Sequence, residues 1–341
     1  GFRAYFRNGF LVVRAMSTAQ YCVLNDASSL VSCVPLRPET TFVQLWHGCV
    51  AFKKWGMSTS YLKFGATREE IRRHPYYRNL SLVTVSSPEV VWAYEEAMDL
   101  ANDGIVSPTG VSRTDVFFDD EFRARSRQRL ERVVPQAAGK KIILYAPTFR
   151  KNIALHWEAL VQAVAAQNSS AWGETASACR QEAGAAQGNA APPEIAQNAG
   201  SYVLIVKGHP NQPLVSDDPV VSNCPDFRAV DLLAVCDYLI TDYSAIALEG
   251  AVLNRPTYYF VYDYEEYREK NGMNIDLFDV MPGCVFRDAD ALMQSLASGV
   301  YPQEVLDAYR ANYLPEHLGT STIQIVQLIR AHLGKPRESK A

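Results

Sequence analysis

No run of about 18 or more apolar residues occurs in this 341-residue chain, so its sequence predicts no transmembrane helix. Positive charge is not in excess. Lys and Arg number 33 against 37 Asp and Glu, for a net charge of −4, which argues against a bulk nucleic-acid binder. Cysteine is sparse: Cys22, Cys33, Cys49, Cys179, Cys224, Cys236 and Cys284 make seven, and no CxxC pair or Cys/His cluster has zinc-site spacing. They read as reduced, mostly structural thiols of a cytoplasmic protein. There is no Walker A sequence, no GxGxxG that follows a strand and opens a helix, and no GxSxG elbow. The first residues, GFRAYFRNGFLVVRAMS, lack an initiator Met and a cleavage-site pattern, so they read as cut from something longer rather than as a signal peptide. Arg3, Arg7 and Arg14 with interleaved Phe form a basic amphipathic face, for which an ordinary surface helix is the plainer reading and membrane contact the other.

What is present is ordinary soluble composition, 48% hydrophobic and 21% charged, at a length that favours two domains. Short apolar runs alternate with helical patterns. Phe42–Trp46, Leu82–Ser86, Ile142–Ala146, Tyr202–Val206, Tyr238–Thr241 and Thr257–Val261 are apolar rather than alternating, as parallel strands buried on both faces are. Ser87-Pro88-Glu89 starts one helix, Ser244 opens another through about Leu253, and Thr320 to His332 reads as a terminal helix. The pattern predicts an α/β protein with two open parallel sheets. We place the N-terminal domain at 1–136, lacking its first strand, and the C-terminal domain at 137–341, with a flexible insertion over about 167–201 rich in Ala, Gln, Asn, Gly and Ser.

In open α/β sheets, ligands bind beyond the carboxyl ends of strands. Polar and ionisable residues crowd those positions here: His47-Gly48, Ser86-Ser87, Thr148 and Arg150, Lys207-Gly208-His209, and Asp242-Tyr243-Ser244. Two histidines at equivalent strand ends point to function, since imidazole can take a proton near neutral pH and can also bond a phosphate. The helix expected at Ser244 offers N–H groups to a phosphate, although plain capping by Ser244 or Asp242 explains it equally well. Glu249 stands within reach of a ribose hydroxyl or is structural. Lys53, Lys54, Arg113, Arg150 and Lys207 are cations suited to a pyrophosphate or an anionic acceptor.

The segments QLWHGCVAFKKWG (44–56), PTGVSRTDVFFD (108–119), ILYAPTFR (143–150), VLIVKGHP (203–210) and the run from Asp231 containing ITDYS occur in the order seen in a known family. The chain resembles the CDP-glycerol glycerophosphotransferases, the teichoic-acid primases and polymerases. The resemblance implies a GT-B architecture of two Rossmann-like domains facing a central cleft. It implies transfer of glycerol phosphate, or a related polyol phosphate, from CDP-glycerol to an acceptor hydroxyl, with release of CMP. It makes His47 the candidate general base and His209 the group that holds the donor phosphates and the departing CMP. Gly48, Lys53, Arg113, Thr148, Arg150, Lys207, Asp242, Tyr243, Ser244 and Glu249 are expected to bind donor or substrate. It implies no metal and no tightly bound cofactor, a lipid-linked or polymeric acceptor, no nucleic acid, and a cytoplasmic protein in peripheral contact with the inner face of the membrane. The competing readings are a GT-B glycosyltransferase or epimerase using a sugar nucleotide, and a non-catalytic binding module. Cys49-Val50-Ala51-Phe52 stands where the family often has Thr-Pro-Leu, and Ala245 replaces its second Ser after ITDYS.

Overall fold

The apolar runs fold into strands that pair in parallel, in two separate sheets. The computed structural model describes residues 2–35, 37–48, 51–63, 65–100, 104–150, 155–183, 201–209 and 211–333. Contacts divide the chain into two compact units. One comprises residues 1–118, 265–276 and 308–341, the other 119–264 and 277–307. This division differs from the expected one at 136/137. Helix Asp120–Val133 belongs to the second unit, where Arg129 donates to the Asp226 carbonyl at 2.9 Å and lies over the Phe227 ring. The terminal helix Ser321–His332 belongs to the first, because the Asp115 carboxylate accepts from the backbone N–H groups of Ser321 (3.1 Å) and Thr322 (2.7 Å) at its start.

The first unit opens with α1 (Phe2–Met16), β1 (Tyr21–Leu24), α2 (Ser29–Cys33) and β2 (Thr41–Gln44), and continues with α3 (Arg68–Arg73), β3 (Leu82–Thr84), α4 (Val91–Met98) and β4 (Val106–Ser107). Its strands lie in the order β1-β2-β3-β4. Every residue of β2 and β3 is buried, which is why both were visible in the sequence. A strand precedes and pairs with β2 in a domain expected to lack its first strand. β1 is half-exposed along its length, so it carries no continuous apolar run. Val13 and Met16 of α1 pack with Val31 and Phe42.

The second unit contains α5 (Asp120–Val133), β5 (Lys141–Tyr145), α6 (Glu158–Ala183), β6 (Tyr202–Val206), β7 (Val221–Asn223), α7 (Ala229–Leu233), β8 (Tyr238–Thr241), α8 (Ile246–Val252) and β9 (Thr257–Phe260). Beyond these come α9 (Tyr264–Asn271), α10 (Leu277–Val280), β10 (Val285–Phe286), α11 (Ala289–Ala297), α12 (Gln303–Tyr313) and α13 (Ser321–His332), of which 265–276 and 308–341 are counted with the first unit. The six strands run β10-β9-β8-β5-β6-β7. Strand order therefore reverses between β5 and β8, the switch point of a doubly wound sheet, where the diverging loops leave room for a ligand. The core is built from β5, β6, β8 and β9 against α6 and α11, with Leu160, Val164, Leu204, Ile240 and Leu292 fully buried. Each such side chain contributes about 1.5–3 kcal/mol. The insertion expected from about residue 167 is a helix in its first part. α6 continues through Gln167 to Ala183, and the rest of the expected stretch, 184–200, lies outside the described residues.

Candidate active site

In the first unit, β2 ends at Gln44 and the chain turns sharply. Trp46 has φ +58°, and its N–H donates to the Gln44 side chain at 2.9 Å. The turn brings out His47, whose side chain is 54% exposed. Its Nδ1 lies 3.1 Å from the Asn25 carbonyl oxygen and 3.7 Å from the Asp26 carboxylate. A carbonyl oxygen can only accept, so in the neutral ring Nδ1 carries the proton and Nε2 the basic lone pair. The His47 carbonyl accepts from Arg113 Nη1 at 2.9 Å, and the Gly48 carbonyl accepts from the buried Tyr94 hydroxyl at 3.1 Å. The loop is thus held from both sides while the ring faces outward. Lys53 is exposed and pairs through its backbone with Met273; Lys54 lies over the Tyr61 ring.

In the second unit, His209 follows β6. The backbone N–H of Asn211 donates to its Nδ1 at 3.2 Å, and its ring packs on Phe149 at 5.0 Å. An N–H can only donate, so here Nδ1 keeps the lone pair and the proton sits on Nε2. The two rings are therefore held in opposite tautomers: Nε2 of His47 can accept a proton, and Nε2–H of His209 can donate a hydrogen bond. Gly208 is required beside it, since a Cβ there would lie 2.4 Å from the Gln212 carbonyl oxygen.

At the switch point, the expected phosphate ligands are bonded to one another. Arg150 is 4% exposed. Its guanidinium meets Asp242 at 2.9 Å and Asp263 at 2.9 and 3.2 Å, and bonds the Thr148 carbonyl at 3.3 Å. The Thr148 N–H donates to Asp242 at 2.8 Å, and the Tyr243 hydroxyl donates to Asp263 at 3.1 Å. Burial, then the neighbouring Asp263 and Asp242 charges, push the Tyr243 phenol far above its ordinary range. Arg150, Asp242 and Tyr243 thus brace the loops after β5 and β8. Lys207 gives its ammonium to the Pro225 carbonyl at 2.9 Å. Ser244 is half-buried, but α8 opens at Ile246 with Ala245 at its cap, so neither Ser244 nor Asp242 caps the helix. Glu249 is 3% exposed within a helix whose every residue is buried. Asn25, Asp26, Gln212 and Asp263 were missed in the sequence, where nothing set them apart from ordinary loop residues. Asp288-Ala289-Asp290 has the spacing of an acidic metal pair, but Asp288 accepts from the Ala291 N–H at 2.8 Å and caps α11. Among the described residues no cluster of three or more His, Cys, Asp or Glu could hold a metal.

A model of the family described as CDP-Glycerol:Poly(glycerophosphate) glycerophosphotransferase matches residues 1–330. The chain is 27% identical to the teichoic acid ribitol-phosphate primase of Bacillus spizizenii over 98% of its own length and 80% of that protein. It is also 27% identical to the teichoic acid ribitol-phosphate polymerase TarK of Staphylococcus aureus, covering 95% of this chain but 59% of the polymerase. Among solved structures, the wall teichoic acid polymerase TagF superposes with a TM-score of 0.68 at 20% identity, over 92% of this chain and 73% of that one. The fold is GT-B-like.

Proposed function

This chain belongs to the CDP-glycerol:poly(glycerophosphate) glycerophosphotransferase family, and on that premise we propose that it transfers glycerol phosphate, or a related polyol phosphate, from a CDP-activated donor to an acceptor hydroxyl in teichoic-acid-like or capsular polymer synthesis. The acceptor oxygen forms a bond to the donor's β-phosphorus, the bond from that phosphorus to the CMP oxygen breaks, and CMP leaves with the electron pair. The acceptor proton passes to Nε2 of His47. Nε2–H of His209 bonds the donor phosphates and the leaving CMP. The observation that carries this reading is the pair of opposite tautomers, one strand-end histidine set to accept a proton and the other to donate a hydrogen bond. Charge that develops on phosphate oxygens is stabilised by donors already in place. Arg150, Asp242 and Tyr243 act in this scheme by shaping the β5 and β8 loops, and the half-buried Ser244 offers its hydroxyl to the donor phosphates.

The acceptor is a lipid-linked or polymeric polyol phosphate, and the protein works in peripheral contact with the inner face of the cell membrane. Support comes from α1, where Tyr5, Phe6 and Phe10 are 59–76% exposed beside Arg3, Arg7 and Arg14. Among the described residues no helix is long and apolar enough to cross a membrane.

The test is CMP release by the purified chain from CDP-glycerol, with CDP-ribitol and UDP-glucose alongside. His47→Gln is expected to lower kcat by roughly 10²–10⁴-fold with donor binding retained, and His209→Ala to weaken donor binding as well. Near-normal turnover by His47→Gln, or turnover of UDP-glucose alone, overturns the assignment.

A further inference from the structure

We propose that Trp46 is a positioning residue for His47, an inference that rests on His47 acting as the base. A φ of +58° is uncommon for any residue with a side chain and is a genuine outlier for one as large as Trp. The turn is held by a closed set of bonds. The Trp46 N–H donates to Gln44 Oε1 at 2.9 Å, and Gln44, itself 1% exposed, donates through Nε2 to the Asp26 carbonyl at 3.0 Å. The adjacent Asn25 carbonyl receives Nδ1–H of His47. The strained turn and the imidazole's anchor are therefore two ends of one hydrogen-bonded loop.

The left-handed turn also lays the indole between two rings. Trp46 stacks on His47 at 4.4 Å and 28°, and on Trp55 at 5.8 Å and 23°, with the edge of Tyr77 at 5.9 Å. Trp55 in turn meets Tyr94, whose hydroxyl holds the Gly48 carbonyl. An exposed imidazole flips readily between orientations. Against this stack it keeps its plane, Nδ1 stays on the Asn25 carbonyl, and the basic lone pair stays on Nε2. A small displacement of a reacting group can cost about 100-fold in rate, so strain at Trp46 has a use.

The test compares Trp46→Leu with Trp46→Phe in the full chain. Nitrogen-15 histidine spectra report the tautomer directly, with the His47 signals assigned by their absence in His47→Gln. Wild type and Trp46→Phe are expected to show the Nδ1–H form and similar kcat. Trp46→Leu is expected to show mixed tautomers and kcat lower by about 10–100-fold, with KM for CDP-glycerol unchanged. If Trp46→Leu does not fold, Trp46→Gly, which accepts the positive φ without strain and removes the whole side chain, is read the same way. The wild-type tautomer and rate in the ring-deleted variant overturn the proposal, as does equal damage in Trp46→Phe. The spectra need no substrate. Failure of the wild type to turn over CDP-glycerol therefore sinks the transferase reading, while the His47 tautomer still decides the role of Trp46.

Discussion

Replacing Arg150 by Met distinguishes a brace from a ligand. Arg150 is 4% exposed, and its guanidinium bonds two carboxylates, Asp242 on the loop after β8 and Asp263 beyond β9. Removing it leaves both charges inside the protein with their main partner gone. Breaking a buried ion pair from one side costs about 3–5 kcal/mol, against total stabilities of about 5–15 kcal/mol. At about 2–4 °C per kcal/mol, the unfolding transition of the second unit should fall by roughly 6–20 °C. Adding Asp242→Asn and Asp263→Asn to Arg150→Met should restore part of the stability, because the charges left unpaired are then gone. The assay is thermal unfolding followed by circular dichroism, with CDP-glycerol KM measured on the folded fraction. A wild-type transition temperature combined with a raised KM would refute the reasoning and return Arg150 to the donor site.

Gly110 has φ +82°, and a Cβ there would lie 2.2 Å from Ser321 Oγ, so Gly110→Ala should cost about 1–3 kcal/mol in denaturant unfolding. Gly104→Ala, at φ +68° but with open space around it, is the control and should cost less. Burial raises the phenols of Tyr145, Tyr243, Tyr258 and Tyr259, and lifts Tyr77 to about 12. Their unfolded value is about 10, so the stability they contribute is intact below that pH and is lost as pH rises past it. Tyrosinate absorbance at 295 nm should therefore appear in two stages, exposed rings first and buried rings only with loss of near-ultraviolet circular dichroism. A single smooth titration of all tyrosines in folded protein would contradict the burial.

The long buried strands were legible in the sequence. Thr41–Gln44, Leu82–Thr84, Lys141–Tyr145, Tyr202–Val206, Tyr238–Thr241 and Thr257–Phe260 each lie within two residues of the expected runs, because parallel strands covered on both faces need apolar side chains throughout. Tyr21–Leu24 is a half-exposed edge strand, and Val106–Ser107, Val221–Asn223 and Val285–Phe286 are two or three residues long, too short for any pattern to show. Both histidines were legible for a related reason: a polar residue that ends an apolar run stands at the carboxyl edge of a sheet, where ligands bind.

Their hydrogen-bond partners were not legible. Asn25 stands 22 residues from His47, the backbone N–H that meets His209 stands two residues beyond it, and only the folded chain decides which partner each ring meets. The same holds for Arg150. From sequence it is one more cation at a strand end; in the fold, a carboxylate 113 positions away binds it and makes it a brace. Where strands stop, and what chemistry stands at their ends, follows from residue type along the chain, because burial selects it one position at a time. Tertiary structure alone decided which of those groups are committed to each other, because charge pairing and hydrogen bonding depend on distances that spacing along the chain does not encode.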